Sequence, residues 1–380
     1  MKKGLADKII SLIIFFVVIC MLAVVVVLVT IAIKEFNNSG KVEAENFEYT
    51  GEINANEKTT SEEEIKTPEI VENPIDEIDE SKLKNIDYSN VQVDKYFFNQ
   101  LEEQAKTIYK AFESNKENMK SGTYQIELGT NFTNVLSKEN GQELLGEYYQ
   151  SAIEAYMYDN PDMFYISPNK MYLNIETTTR GNKTTYNVYL NSGNLSNYYA
   201  DGFTSEAQIN NAISQIQQVK NEITQNASGN AYEDIKMVHD YLVDNLKYDS
   251  TLSKSNIYDL YGALVNKECV CEGYARAFKY LMDDLKIPCV IIVGTATNSQ
   301  GQTENHAWNY VQLNGNWYAV DTTWDDPVII GGGSASEESK YRYFLKGRSE
   351  INKDHIENHQ FTEGGKEFNY PNLNEEDYKF

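Results

Sequence analysis

The alternation of apolar and polar positions divides the chain into five stretches, at residues 1–8, 9–34, 35–90, 91–203 and 204–380. Residues 9–33, IISLIIFFVVICMLAVVVVLVTIAI, carry no charge. As a helix they would extend about 37 Å, enough to cross a bilayer with some tilt. A cleavable leader would have a shorter apolar region ending at a small-residue site, so the stretch reads as a permanent transmembrane anchor. Residues 35–90 are acidic, contain Pro68, Pro74 and the run Glu62, Glu63, Glu64, and have few large apolar residues. That composition predicts a disordered, self-repelling stalk. From residue 91 apolar positions return at helical spacing: Phe97, Phe98, Leu101, Ala105, Ile108, Tyr109 and Phe112, then Leu144, Leu145, Tyr148, Ala152, Ile153 and Tyr156. The second helix should stop at Asp159-Asn160-Pro161.

Alternation around Met171, Leu173 and Ile175, a turn at Arg180-Gly181-Asn182-Lys183 and a return over 187–190 predict a hairpin, making 91–203 a small α+β domain. Residues 204–246 read as two helices parted near Gly229. Ala275, Phe278, Leu281, Met282 and Leu285 lie at steps of three and four before Pro288, which puts Cys271 at or near a helix N-terminus. Downstream, NHAWNYVQL and NWYAVDTTW flank Asn314-Gly315, a dipeptide suited to a two-residue type I′ turn. With that loop Trp308 faces Asp321 and His306 faces Thr323. His306 and Asp321 are then diagonal neighbours on one face, roughly 7 to 8 Å apart at the backbone, within reach of side chains. Tyr341–Leu345 reads as a further strand.

Charge changes the picture in two places. A net charge of −24, with no concentration of Lys and Arg, excludes a nucleic-acid partner. Lys2, Lys3 and Lys8 precede the apolar stretch and an acidic flank follows it, so the N-terminus is expected in the cytoplasm and the C-terminal domains outside the cell.

The candidate chemistry lies in 271–321. A thiol at a helix N-terminus is favoured as thiolate, and the free N–H groups there can hold an oxyanion. His306 supplies a base and Asp321 a carboxylate to fix its tautomer, the parts of a thiol-based acyl transfer that needs no metal or organic cofactor. Gly273 and Tyr274 beside the thiol, with Trp308 and Trp324, are the candidate substrate cleft. His355 and His359 are four apart, as two ligands on one helix face would be, but no third ligand of suitable spacing accompanies them, so no metal site is expected. His239 is expected to be a structural histidine.

Val-Cys-Glu-Gly-Tyr-Ala at 270–275, Asn-His-Ala-Trp-Asn at 305–309 and Val-Asp-Thr-Thr-Trp-Asp at 320–325 together resemble the transglutaminase-like superfamily, over about residues 232–326. The resemblance implies an α+β, papain-like core in which the helix carrying the cysteine packs on an antiparallel sheet, here preceded by the small α+β domain and the transmembrane helix. It implies Cys271 as nucleophile, His306 as base and Asp321 as orienting group. It also implies a protein or peptide amide substrate, with cell-wall peptide suggested by the outward topology. Cys269 stands where many relatives have glycine; the open readings are a resolving thiol, a harmless neighbour, or, outside the cell, a strained bridge to Cys271 that silences the site. The rival expectation is a non-catalytic surface binding or scaffold module on the same fold.

Overall fold

Two four-stranded sheets organise the computed structural model, which describes residues 70–74, 83–326, 338–362 and 364–379. All of these belong to one compact unit, Tyr49–Phe380. The apolar stretch 9–33 lies outside the described residues, and among those described no helix is long and apolar enough to cross a membrane.

The first sheet takes the order β1-β3-β4-β2, with β1 Ile70–Pro74, β2 Ile126–Gly129, β3 Tyr172–Arg180 and β4 Lys183–Asn191. The hairpin β3–β4 turns at Gly181-Asn182, as the sequence predicts, and pairs throughout from Tyr172↔Asn191 to Arg180↔Lys183. β1 lies inside the stretch expected to be stalk. Its residues pair in parallel with β3, from Ile70↔Leu173 to Pro74↔Thr177. Helix α1 Glu103–Asn115 carries the first periodic stretch only from Ala105 on, since Phe98–Gln100 form a separate 3₁₀ turn and Leu101 is extended; α2 Gly141–Asp159 carries the second and stops at Asp159.

The second sheet takes the order β10-β7-β8-β9 and is antiparallel throughout. Its strands are β7 Cys289–Thr297, β8 Thr303–Leu313, β9 Asn316–Val320 and β10 His355–Glu357; a separate two-stranded pair joins β5 Lys247–Tyr248 to β6 Glu268–Cys269. Helices α3 Glu206–Thr224 and α4 Ala231–Asn245 precede it, and α5 Cys271–Asp284 lies on β7 and β8. Asn309 on β8 pins that contact, donating from Nδ2 to Ala275 O at 3.0 Å. One hydrophobic core runs through the segments on both sides of residue 203. Phe97 meets Phe361, Phe368 and Tyr370 edge-on, and Asp159 at the end of α2 accepts from the backbone N–H groups of Phe97 and Phe98.

One expected element is absent. Tyr341–Leu345 is not a strand: a 3₁₀ turn over Ser339–Tyr341 leads into further turns, and Leu345 has φ of 51°. The Tyr343 N–H is taken by Asp325 Oδ1 at 2.8 Å, so it is not offered to a ladder; only Lys346 bridges to Ala319 on β9.

Candidate active site

The β8–β9 hairpin has the register expected from its Asn-Gly turn. Asn309 pairs with Val320 and Leu313 with Asn316, and Asn314 and Gly315 have φ of 52° and 81°, the positive values a type I′ turn requires. His306 therefore sits on β8, opposite Gly294 on β7, and Asp321 is the first residue past β9. The diagonal closes: His306 Nε2 lies 2.8 Å from Asp321 Oδ2, with both side chains buried. His306 thus engages the carboxylate through Nε2 and not through Nδ1.

Cys271 is the first residue of α5. The chain arrives extended, with Val270 at φ −101° and ψ −178°, its N–H held by Ile257 O and its carbonyl accepting from Tyr274 N. No side chain of the N-cap residue Val270 hydrogen-bonds into the first turn of the helix. Along α5 the positions 271, 275, 278 and 282 form one stripe, all buried. Cys271 keeps 9% exposure, against none for Cys269. Burial, reinforced by the neighbouring Cys271, pushes the Cys269 thiol well above its ordinary range, which disfavours it as a nucleophile. Neither is in a disulfide.

The four candidate cleft residues separate. Gly273 is packed: a Cβ there would lie 2.5 Å from Cys269 Cβ and 2.8 Å from Ile257 O, so its hydrogen serves the approach of β6 to α5. Tyr274 is fully buried, donating its hydroxyl to Asp326 Oδ2 at 2.5 Å. Trp308 and Trp324 border the histidine, with ring centroids 6.0 and 5.3 Å from His306.

The sequence reading missed the role of His355. On β10, paired with Ala296 of β7, its Nε2 lies 3.1 Å from the same Asp321 Oδ2 that His306 engages, and its Nδ1 lies 2.6 Å from Asp354 Oδ1. His359 goes elsewhere, with Nδ1 2.9 Å from Phe368 O, so the two histidines form a strand and its continuation rather than one helix face. β10 can approach because Gly294 has no side chain; a Cβ would come within 2.1 Å of Ile356 O. No local spacing announces this, since His355 is 34 residues from Asp321.

Asp321 completes its bonding through Oδ1, which accepts from the N–H groups of Thr323 at 2.9 Å and Trp324 at 3.2 Å. Burial alone would raise its pKa, but His306 and His355 outweigh it and hold the carboxyl well below the usual carboxylate range. For His355 burial disfavours the charged ring, and Asp321 and Asp354 more than offset it, so its pKa is raised. His239, the expected structural histidine, lies between Asp240 and Asp325 in the same manner, at 3.0 Å from each. Among the described residues, His306, Asp321 and His355 bring potential ligand atoms within 4.8 Å of one another. Both Nε2 atoms are turned on to one oxygen, so the group is bonded to itself, and a cation would have to break both bonds.

A helix-borne thiol thus lies over an antiparallel sheet that carries a buried imidazole–carboxylate pair. Residues 217–322 match the sequence model of the transglutaminase-like superfamily. The kyphoscoliosis peptidase of Mus musculus is 25% identical over 122 residues, which is 29% of this chain and 18% of that protein's length. Among solved structures, a TGase covers 46% of this chain and 50% of its own at 16% identity and a TM-score of 0.27. The periplasmic domain of TgpA from Pseudomonas aeruginosa covers 37% and 55% at 15% identity and a TM-score of 0.23. At these scores neither structure bears on the chemistry of this chain.

Proposed function

We propose that the protein is an extracytoplasmic cysteine-dependent acyl transferase or amide hydrolase acting on protein or peptide amides, with Cys271 as nucleophile. The observation that carries the reading is the 2.8 Å contact of His306 Nε2 with Asp321 Oδ2 on the sheet that bears the Cys271 helix. His306 takes the thiol proton on Nδ1 as sulfur attacks the amide carbonyl, and the N–H groups of the first turn of α5 receive the negative oxygen. The same imidazolium returns the proton to the departing amine, leaving a thioester at Cys271. An amine or water then attacks, giving a cross-link or a hydrolysed product and restoring the thiol. Asp321 keeps the His306 proton on Nε2 between steps and stabilises the imidazolium when it forms. This sequence draws on no cofactor.

The uncharged run at 9–33, with Lys2, Lys3 and Lys8 before it, supports an anchor that leaves residues 91–380 outside the cell, where cell-wall peptide is an accessible amide substrate. Protease cleavage of 91–380 in intact cells is expected; protection there, with cleavage only after lysis, would end this part of the proposal.

The test of the chemistry is intact-mass spectrometry of the full-length chain in detergent after exposure to iodoacetamide. Fast single labelling should vanish in Cys271→Ala and slow in His306→Ala. Slow labelling indifferent to both changes would favour the second reading, a binding module. The near-closure of the site, with Cys271 at 9% and His306 at 2% exposure, is the observation on that side.

A further inference from the structure

The carboxylate of Asp321 serves two imidazoles, and the second is held in a way that fixes its charge. An ionised carboxylate only accepts hydrogen bonds, while a neutral imidazole has one N–H and one bare nitrogen. Each ring nitrogen of His355 faces a carboxylate oxygen, at 3.1 Å for Asp321 and 2.6 Å for Asp354. A neutral ring would set a lone pair against one of these oxygens in a buried place, whereas an imidazolium donates to both. Asp354 is in turn steadied by the Tyr343 hydroxyl, which donates to its Oδ2 at 2.8 Å. The rings of Trp308, Trp324 and Tyr343, at 4.7 to 5.3 Å between centroids, close off the remaining surroundings.

We propose that His355 is a positioning residue for the reaction at Cys271: held as an imidazolium between Asp321 and Asp354, it neutralises the outer side of Asp321. It thereby limits how tightly that carboxylate retains a proton on His306. Without this counter-charge, Asp321 would act on His306 as a full buried anion and make the imidazolium too stable to give its proton back. The ring centroids of His306 and His355 are 5.5 Å apart, close enough for the charge on one to be felt at the other. Glu304, ahead of His306 on β8, and Asp325, which is tied to His239, also face the pair. The inference rests on the reading of His306 as the base, but its test is read from the rings and not from turnover.

The chain has four histidines, so full-length protein labelled with ¹⁵N-histidine presents four rings to NMR. The His355 ring is identified by its loss in His355→Gln, which keeps a donor without the charge. At pH 7.5 the wild-type His355 ring should carry protons on both nitrogens. In His355→Gln the His306 titration midpoint should rise by about one pH unit, a tenfold gain in proton affinity. The limb of the iodoacetamide pH profile that reports His306 should move with it. A His355 ring neutral at pH 7.5, or a His306 midpoint unmoved in His355→Gln even with slower labelling, would overturn the proposal. If His355→Gln does not fold, Asp354→Asn replaces it: losing one of its two anions, His355 should give up its charge and the His306 midpoint should rise in the same direction, and an unmoved midpoint refutes. A wild-type chain that is never labelled would count against the proposed enzyme, while the ring measurements would still decide the role of His355.

Discussion

Asp321→Asn is the substitution whose consequence can be followed atom by atom. Asp321 accepts four hydrogen bonds, two backbone N–H groups on Oδ1 and the two histidine Nε2 atoms on Oδ2. Asparagine keeps the first oxygen but places an NH₂ where the second stood, so two ring donors would meet two amide hydrogens. His355 can release its Nε2 proton and remain bonded to Asp354 through Nδ1. His306 can relieve the clash only by moving its proton from Nε2 to Nδ1, the nitrogen that must receive the thiol proton. The charge-assisted bonds lost are each worth about 1.5–3 kcal/mol, so the fold should lose about 3 kcal/mol after the new amide contacts are allowed for. Reactivity should fall further, because the wrong tautomer removes the proton acceptor. The same exchange in a serine-protease triad lowers kcat about 10⁴-fold, and a fall of about 10³-fold or more is expected here in the second-order rate of Cys271 alkylation at pH 7.5. The assay is a time course of iodoacetamide labelling by intact-mass spectrometry, with near-UV circular dichroism to show that the variant is folded. A folded Asp321→Asn labelled within about threefold of the wild-type rate would refute the tautomer argument.

Four further outcomes can be checked on the same chain. Cys269→Ala should leave single labelling intact, since the Cys269 thiol is buried and pushed to high pKa; loss of the label would make Cys269 the nucleophile. Gly273→Ala should destabilise by about 2–3 kcal/mol, because the added Cβ meets Cys269 and the Ile257 carbonyl, and a melting temperature equal to wild type would show that β6 can give way. Arg276→Ala should cost about 3–5 kcal/mol, for it strands Glu272 in a pair whose side chains are each 9% exposed, whereas replacing both by apolar residues should recover much of the loss. Stability should fall between pH 5 and pH 8. Burial raises Glu154 and Asp259 to about 7 and Asp159, Asp325 and Asp326 to about 6, so the folded chain binds more protons than the unfolded one from about pH 4 up to those values. His239 and His355, raised by their carboxylates against burial, add stability that is present below the unfolded histidine value and lost as pH rises through the folded one. Melting followed by circular dichroism at pH 5 and pH 8 measures the difference, and a higher melting temperature at pH 8 would contradict it.

Local chemistry made much of this site readable before any coordinates. Asn314-Gly315 can take two positive φ values cheaply, and once the turn is two residues long the register of β8 against β9 follows, placing His306 diagonal to Asp321. The 3.6-residue periodicity before Pro288 likewise locates the start of the Cys271 helix. The strand β7 left a signal of its own, the β-branched run Val290–Val293, which went unread because a short apolar run is as much helix as strand until its partners are known. Two features left no local trace. Tyr341–Leu345 has the residues of a strand, but Asp325 takes the Tyr343 N–H, a competition between positions 18 apart that no window of sequence displays. His355 reaches Asp321 only because β10 adds to the edge of β7, where Gly294 lets the two backbones close. Spacing along a strand or around a turn is set by covalent geometry and is written in the sequence. Which distant carboxylate a buried histidine meets is set by how sheets and loops stack, and the charge it then carries is a property of that packing.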